Sequence, residues 1–346
     1  MQNPLFGNDT MGTVMQATAD ETGGIRVLEV EDLHTIFDTE DGVVRAVDGL
    51  SFVLRQGRTL GLVGESGSGK SVANLSILRL VPQPPGRIVS GRIRFGGMDL
   101  LALPESKMRA IRGKRISMIF QDPMTSLNPY LRVGRQLTEV LEQHERMGRS
   151  AARARAIDML ARVGIPEPAV RFDGYPHEMS GGMRQRVMIA MALLCKPEIL
   201  IADEPTTALD VTVQAQILDL MRDLRQEYGT AVVLITHDLG IVAGTADEVA
   251  VMYAGRIVEQ APTAELFANP RHPYTLALLR SLPRLTGERD RLVPIPGRPP
   301  RLIDPASGCP FVPRCAHAQD VCRREYPAGR NVGPAHDVHC WVDVTG

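Results

Sequence analysis

The segment GESGSGKS, residues 64–71, constrains the fold of this chain more than any other stretch. It fits the pattern G-x-x-x-x-G-K-S/T, it follows the continuous apolar run TLGLVG, and the helical run VANLSILRL comes directly after it. Gly64, Gly67 and Gly69 let the backbone turn so that its N–H groups face an anion, and the N-terminus of the next helix adds a partial positive charge. The sequence therefore predicts a phosphate-binding loop between a buried strand and a helix.

The side chains in and after this loop predict that its ligand is a magnesium nucleotide. We expect Lys70 to reach the β- and γ-phosphates and Ser71 to offer its hydroxyl to Mg²⁺. A second apolar strand, ILIAD, ends in Asp203, which we expect to hold Mg²⁺ or its water. Glu204 follows it as the candidate general base that polarises the attacking water. The other loop residues are counted as nucleotide contacts: Glu65, Ser66 and Ser68.

Three further stretches carry residues that suit a nucleotide site. A glutamine or histidine at a strand end is usually only a surface residue, so their combination and order along the chain carry the prediction. Ser180, Gly181 and Gly182 open a helix in MSGGMRQRVMIAMALL, which predicts a second anion site. The phosphate-binding loop of the chain already accounts for one bound nucleotide, so a second anion-binding element implies a second nucleotide. We expect Gln121, after the run ISMIF, to reach the metal or the attacking water. We expect His237, after AVVLIT, to sense the γ-phosphate.

Continuous apolar runs separated by helical segments indicate the fold class. Runs of this kind are typical of strands buried on both faces, so they predict an α/β fold with a mostly parallel sheet. Residues 27–58 instead alternate apolar and polar positions around an Asp-Gly turn at 41–42, which predicts antiparallel strands. The buried runs lie at 59–64, 116–120, 198–203 and 231–236.

Changes in composition divide the chain into three parts. The polar residues 1–26 predict a disordered leader, and residues 27–262 form a nucleotide-binding domain. Between about 123 and 178 this domain has no buried strand, which predicts a helical insertion. Residues 263–346 form an extension in which seven prolines between 294 and 313 disfavour regular elements.

Charge and hydropathy exclude several classes of protein. The formal net charge is −1, so no basic excess favours binding to nucleic acid. No run approaches the ~20 apolar residues of a membrane span. The N-terminus lacks the basic and apolar regions of a signal peptide, so we expect a cytosolic protein, in which structural disulfides are rare.

Four of the five cysteines lie in the extension: Cys309, Cys315, Cys322 and Cys340. Their spacing lacks the short C-x2–4-C hooks of common zinc modules, and four thiolates suit either Zn²⁺ or an iron–sulfur cluster. We expect a structural metal site, because a Pro-rich segment buries little apolar surface of its own. His317, His336 and His339 could replace one of the four ligands, but they are expected on the surface. Cys195, in the apolar run MIAMALLC, is expected to be a small core residue.

Together, the nucleotide motifs resemble those of the ATP-binding subunits of ATP-binding cassette (ABC) transporters. GESGSGKS is similar to the family's Walker A motif, Gln121 to its Q-loop, MSGGM to its signature and ILIADE to its Walker B strand with the catalytic glutamate. TALD, which ends at Asp210, resembles the D-loop, and His237 the switch histidine. Met183 departs from the Gln of the general signature, but the three residues before it are intact.

This resemblance implies a P-loop NTPase fold of ABC type, with a parallel core sheet, an antiparallel β subdomain and a helical subdomain. It implies ATP hydrolysis with Mg²⁺ held by Ser71, Gln121 and Asp203, and a dimer in which Ser180–Gly182 contact the partner's ATP. It also implies that an aromatic residue upstream of Walker A stacks on adenine, for which Phe37 is the candidate. Because no nucleotide motif lies beyond residue 262, we expect the core to bind ATP without help from the extension.

The segment FANPRHPYTLALLRSLPR resembles the His-Pro-Tyr region of oligopeptide and dipeptide importers and their nickel-transporting relatives. Within this family the chain resembles the D-type ATPase subunits of oligopeptide permeases. The resemblance implies a second ATPase subunit, two transmembrane permease subunits, an extracytoplasmic peptide-binding protein and a place at the cytoplasmic face of the inner membrane. It favours a 4Fe–4S cluster over zinc in the extension.

Two alternative functions remain open at this stage. The same machine could import nickel or another small solute, because the ATPase does not touch the transported substrate. A soluble ABC ATPase acting on nucleic acid or ribosomes would be expected to show a long coiled coil, a second cassette or a basic face. None of these is visible in the sequence.

Overall fold

The computed structural model describes residues 24–122, 126–207, 209–281, 294–303 and 307–344. Residues 1–23 of the predicted leader therefore lie outside the described residues. Arg26, the last residue of that leader, already belongs to the first strand.

The strands are β1 Arg26–Thr39, β2 Gly42–Arg55, β3 Thr59–Val63, β4 Gly86–Phe95, β5 Met98–Asp99, β6 Ile116–Ile119, β7 Ile199–Asp203, β8 Ala231–Thr236, β9 Glu248–Tyr253, β10 Arg256–Pro262, β11 Arg330–Gly333 and β12 His336–Val338. The α-helices are α1 Lys70–Ile77, α2 Glu105–Ile111, α3 Val133–Glu145, α4 Arg149–Arg162, α5 Pro168–Phe172, α6 Gly181–Leu193, α7 Val211–Tyr228, α8 Leu239–Thr245, α9 Thr263–Ala268, α10 Pro273–Arg280 and α11 Asp320–Arg324. Short 3-10 turns lie at Pro176–Glu178 and Val312–Arg314.

The larger sheet carries the predicted buried strands. Its order is β11-β12-β10-β9-β3-β8-β7-β6, and β3, β8, β7 and β6 pair in parallel. Every residue of β3, β7 and β8 is buried, which confirms the prediction made from the continuous apolar runs. Since parallel strands end at one edge, the loops after these four strands gather at the same place.

The antiparallel sheet has the order β2-β1-β4-β5. Thr39 pairs with Gly42, so the turn consists of residues 40 and 41, one residue earlier than predicted. Leu28 and Phe95 of this sheet share one apolar cluster with Ile77 of α1. The helix after the P-loop is therefore packed against both sheets.

The insertion between 123 and 178 is helical in its described part, residues 126–178. Leu137 of α3 and Leu160 of α4 pack with Val187 of α6, and the same cluster includes Leu200 of β7. Through α6, the helical layer is anchored to the strand that leads to Asp203.

The extension is joined to the core sheet. Strand β12 pairs antiparallel with β10, where Glu259 lies opposite Val338, and β11 adds the outer edge. An apolar cluster links Tyr253 of β9 with Tyr274 of α10 and Phe311. In the described residues, every helix falls short of the length and apolar character that a membrane-crossing segment requires.

Candidate active site

The P-loop takes a backbone path that only glycine fits at two positions. Gly64 has φ 154° and Gly69 has φ 100°. A Cβ on Gly64 would lie 2.2 Å from the carbonyl oxygen of Met252, and one on Gly69 would lie 2.1 Å from that of Ala46. Gly69 caps α1 without a side-chain hydrogen bond, so the first N–H groups of the helix remain available to an anion.

Lys70 is folded into the loop. Its side chain is buried, and its ammonium donates to the carbonyl oxygens of Gly64 at 2.7 Å and Glu65 at 2.9 Å. Burial lowers the pKa of Lys70, while the negative charges of Glu204, Asp203 and Glu65 act in the opposite direction. A buried ammonium whose bonds are to loop carbonyls is well placed to bind phosphate oxygens instead.

Ser71 and Asp203 are positioned to share one metal ion. The Ser71 hydroxyl donates to Asp203 Oδ1 at 3.2 Å. Neighbouring ligands of an octahedral Mg²⁺ with bonds of 2.0–2.1 Å lie about 3 Å apart, which agrees with this separation. Burial and the neighbouring charge of Glu204 raise the pKa of Asp203, although the Ser71 hydrogen bond and the Lys70 charge act in the opposite direction. A bound Mg²⁺ would add positive charge that favours the ionised carboxylate.

Glu204 is the point on which the remaining strand-end residues converge. Gln121 Nε2 donates to its Oε2 at 2.9 Å, and His237 Nδ1 lies 3.3 Å from its Oε1. Thr207 donates to Oε2 at 2.9 Å. Since an ionised carboxylate only accepts hydrogen bonds, the His237 nitrogen is the donor. Sequence reasoning found Gln121, Glu204 and His237, but it did not identify Thr207, although this residue lies within the TALD motif.

The surroundings of Glu204 keep it ionised and hold it in a strained backbone. Partial burial favours the neutral carboxyl, but hydrogen bonds from Thr207 and His237 and the charges of His237 and Lys70 outweigh it. The pKa of Glu204 therefore lies below its ordinary value. Its φ is 46°, a conformation that costs about 1–3 kcal/mol in a residue other than glycine. The site thus presents a fixed, charged carboxylate beside the P-loop lysine.

The predicted signature and D-loop residues cap helices. The Ser180 hydroxyl accepts from the Met183 N–H at 3.3 Å at the start of α6, and Asp210 accepts from the Val213 N–H at 2.9 Å at the start of α7. Among the described residues, no hydrogen bond joins Ser180–Gly182 to the P-loop. Contact of these residues with a partner's nucleotide stays a prediction.

Phe37, the candidate for stacking on adenine, lies within β1. A Cβ on Gly86 of β4 would approach the edge of its ring to 2.8 Å, so the ring packs closely on the neighbouring strand. Its predicted contact with adenine stays a prediction.

The extension contacts the P-loop directly, and ATP binding by the core without help from the extension stays a prediction. Arg314 donates to both carboxylate oxygens of Glu65, at 2.5 and 2.9 Å, and the Tyr274 hydroxyl accepts from the Glu65 N–H at 2.9 Å. Arg314 lies 249 residues from Glu65 along the chain. No local pattern in the sequence could have indicated this contact.

The four cysteines of the extension line one small cavity of about 20 Å³, together with His272, Phe311 and Trp341. Burial raises the pKa of Cys309 and Cys315, and that of Cys340 to about 11. Cys195 lies in the turn after α6, and it is half-buried against the apolar cluster of the helical layer, so it lies at the edge of that core and not inside it as predicted.

Of the three histidines predicted on the surface of the extension, one is exposed, one is half-buried and one is buried. His339 is the half-buried one, and its Nδ1 lies 3.3 Å from the carbonyl oxygen of Pro327. His317 is exposed, but His336 is fully buried, and its Nε2 lies 2.8 Å from the buried carboxylate of Glu259. The pairing of β12 with β10 places the two side chains together, which explains why His336 is not on the surface. Within the described ranges, no three His, Cys, Asp or Glu side chains are arranged so that they could hold a metal ion.

Comparisons with known proteins agree with this site. Residues 47–207 match the ABC transporter family, and residues 258–322 match the C-terminal region of oligopeptide/dipeptide transporters. The chain is 55% identical to a probable peptide ABC transporter ATP-binding protein, y4tR, of Sinorhizobium fredii, over 91% of this chain and 94% of the relative. It is 53% identical to the oligopeptide transport ATP-binding protein OppD of Bacillus subtilis, over 92% of this chain and 89% of the relative.

Solved structures support the same fold. The ATP-binding cassette MJ0796, described as a dimer in a post-hydrolysis state with ADP and phosphate, matches with a TM-score of 0.62 and 25% identity. The match covers 68% of this chain and 98% of that one. With its P-loop, its converging strand-end residues and its matched C-terminal region, the chain belongs to the ATP-binding subunits of peptide-type ABC transporters.

Proposed function

We propose that this chain is the ATP-hydrolysing subunit that powers uptake of peptides through a membrane ABC importer. The observation that carries the proposal is the convergence of Lys70, Asp203 and Glu204 at one edge of the parallel sheet, in a chain whose relatives are named as peptide transport ATP-binding proteins. The geometry supports hydrolysis, and the relatives' names support the peptide substrate.

Each residue of the site has a distinct task in this proposal. The P-loop N–H groups and Lys70 bind the phosphates. Ser71, Asp203 and Gln121 would hold Mg²⁺, which when bound would supply positive charge against the charge that develops during phosphoryl transfer. Glu204 accepts the proton of the attacking water, because it is ionised and faces the site. Gln121 and Thr207 orient its carboxylate through their hydrogen bonds. His237 contacts the γ-phosphate.

The complete ATP site in this proposal contains two ATPase subunits. Each P-loop faces the partner's Ser180–Gly182 element, and ATP favours the closed pair through contacts that hydrolysis removes. The helical layer and Gln121 pass this motion to two transmembrane permease subunits, which hold the chain at the cytoplasmic face of the membrane. An extracytoplasmic binding protein delivers the peptide.

Replacing Gly181 with aspartate tests the shared site. A Cβ on Gly181 meets no atom within 4 Å, so the isolated subunit should accept this change. Across a dimer, the new carboxylate would face the partner's γ-phosphate, and like charges about 4 Å apart cost about 4 kcal/mol at an effective dielectric of ~20. We expect ATP binding to the isolated variant to match the wild type, while ATP-dependent dimerisation measured by light scattering is lost. Equal loss of both properties would contradict a composite site.

The ligand that stimulates ATP hydrolysis distinguishes peptide import from the alternative functions. The chain is co-expressed with its permease partners and binding protein, and phosphate release is measured with di- to hexapeptides or with Ni²⁺. Stimulation by peptides supports the proposal, and stimulation by Ni²⁺ alone supports the nickel alternative. Stimulation only by RNA or ribosomes would favour a soluble ABC ATPase.

We also propose that Cys309, Cys315, Cys322 and Cys340 bind a 4Fe–4S cluster, with Zn²⁺ as the alternative. The support is the donor set, since all four residues line one cavity with apolar walls. A cavity of about 20 Å³ has room for roughly one water molecule, so the walls must move outward to admit a cluster.

Iron analysis tests this second proposal. Anaerobically purified protein should be brown and contain about four irons and four acid-labile sulfides per chain. Cys315→Ser should lose the colour, whereas Cys195→Ser, at the thiol in the helical layer, should keep it. Colourless protein with one zinc per chain would contradict the cluster and support the zinc alternative. Metal-free protein would contradict both the cluster and the zinc site.

A further inference from the structure

The P-loop of this chain contains a carboxylate, Glu65, directly beside the residues that bind phosphate. Its backbone carbonyl accepts from Lys70, so any movement of Glu65 also moves the partner of that ammonium. An unpaired negative charge at this place would repel the phosphates of a nucleotide. The structure resolves this conflict with a residue from the extension.

Arg314 neutralises Glu65 in a nearly closed environment. Its side chain is only 3% exposed, and its two terminal nitrogens donate to the two carboxylate oxygens of Glu65. Nε donates to the carbonyl of Pro296 at 2.9 Å, and Nη1 also donates to the hydroxyl of Tyr253 at 3.3 Å. Such a bidentate ion pair fixes the orientation of the Glu65 carboxylate as well as neutralising its charge, and it turns the carboxylate toward the extension.

Tyr274 holds the backbone of the same residue. Its hydroxyl accepts from the Glu65 N–H, and its fully buried ring packs 4.5 Å from that of Tyr253 and 5.4 Å from that of Phe311. The Tyr274 N–H in turn donates to His272 Nδ1 at 3.0 Å. The side chain and the backbone of Glu65 are therefore both held by residues beyond position 262.

We propose that Arg314 and Tyr274 are positioning residues of the ATP site, which set nucleotide affinity by neutralising the Glu65 charge and fixing its backbone. The inference rests on this P-loop being the ATP site. It assigns the extension a part in nucleotide binding, in addition to any role of the thiol cavity, to whose lining the next residue, Cys315, belongs. If Arg314 served only to fasten the extension to the core, its replacement would lower the stability of the protein and leave the affinity for nucleotide unchanged.

The test compares MgATP affinity in full-length variants. Arg314→Met should weaken MgATP binding by roughly tenfold or more, because it leaves the Glu65 carboxylate unpaired next to the phosphates. Adding Glu65→Gln to Arg314→Met should recover most of that loss, although the ion pair is still absent. Arg324→Met, which removes an exposed positive charge from α11, is the matched control and should bind like the wild type.

Kinetics separate positioning from a purely structural role. In the complex with the permease subunits, Arg314→Met should raise the KM for ATP with little change in kcat at saturating ATP. Tyr274→Phe keeps the ring packing but loses the acceptor for the Glu65 N–H, and it should weaken binding several-fold. Thermal melting is recorded for every variant, so that Tyr274→Phe decides the question if Arg314→Met fails to fold.

The outcomes are distinct. Unchanged MgATP affinity in both Arg314→Met and Tyr274→Phe would overturn the inference, as would an affinity loss that Glu65→Gln does not relieve. If Lys70→Ala also leaves MgATP binding unchanged, the P-loop is not the ATP site and the proposed function itself fails. Loss of binding in Lys70→Ala with normal binding in the extension variants rejects only the positioning role.

Discussion

Replacing Glu204 with glutamine should lower ATP turnover by roughly 10²–10⁴-fold, because the amide cannot accept the proton of the attacking water. The pKa of Glu204 is below its ordinary value, so at neutral pH the native residue is a carboxylate ready for this transfer. Gln121 and Thr207 can still donate to the remaining amide oxygen, so the local geometry should persist. We therefore expect ATP affinity to be retained and the ATP-bound dimer to accumulate.

The measurement is phosphate release by the assembled complex, with ATP binding measured separately. Asp223→Asn, at an exposed carboxylate on α7, is the matched control and should hydrolyse ATP like the wild type. Turnover near the wild-type rate in Glu204→Gln would exclude this residue as the general base. Loss of ATP binding together with turnover would instead assign Glu204 a role in folding or binding.

Replacing Lys70 with alanine should remove most ATP binding. The ammonium is buried and is held at 2.7 Å from the Gly64 carbonyl, inside the loop that receives the phosphates. Hydrogen bonds to charged groups contribute about 1.5–3 kcal/mol each, so we expect MgATP affinity to fall by about 10- to 150-fold. Calorimetric titration of the subunit with MgATP measures the change.

Lys107→Ala is the control for this second substitution, because Lys107 is an exposed lysine on α2. It removes the same charge at a distance from the loop and should leave affinity unchanged. Lys70→Ala with wild-type affinity would show that the nucleotide binds elsewhere. A lower melting temperature alone would not explain a selective loss of ATP binding.

Features carried by short stretches of sequence could be predicted. The P-loop, the buried strands and the residues at their ends follow from local patterns, and the convergence of Gln121, Glu204 and His237 follows from the rule that parallel strands end at one edge. The antiparallel hairpin was also predictable, with an error of one residue in its turn. In each case neighbouring residues determine the outcome.

Features that join distant segments could not be predicted. The pair of Arg314 with Glu65 depends on how the extension packs against the core, and the burial of His336 depends on the pairing of β12 with β10. Neither the segment around Arg314 nor strand β12 has a sequence pattern that indicates which part of the core it contacts. The Pro-rich composition of residues 294–313 correctly indicated few regular elements in the described part of that stretch. It gave no sign of the contact between Arg314 and the P-loop.

The most direct test of peptide import is uptake by the reconstituted complex. The chain is assembled with its permease subunits and binding protein in proteoliposomes, with MgATP on the side of the ATPase subunits, and entry of a labelled oligopeptide is measured. We predict accumulation with the wild-type chain and none with Glu204→Gln, although the Glu204→Gln complex still binds ATP. Equal peptide uptake by both complexes, or hydrolysis of ATP without any uptake of peptide, would contradict the account.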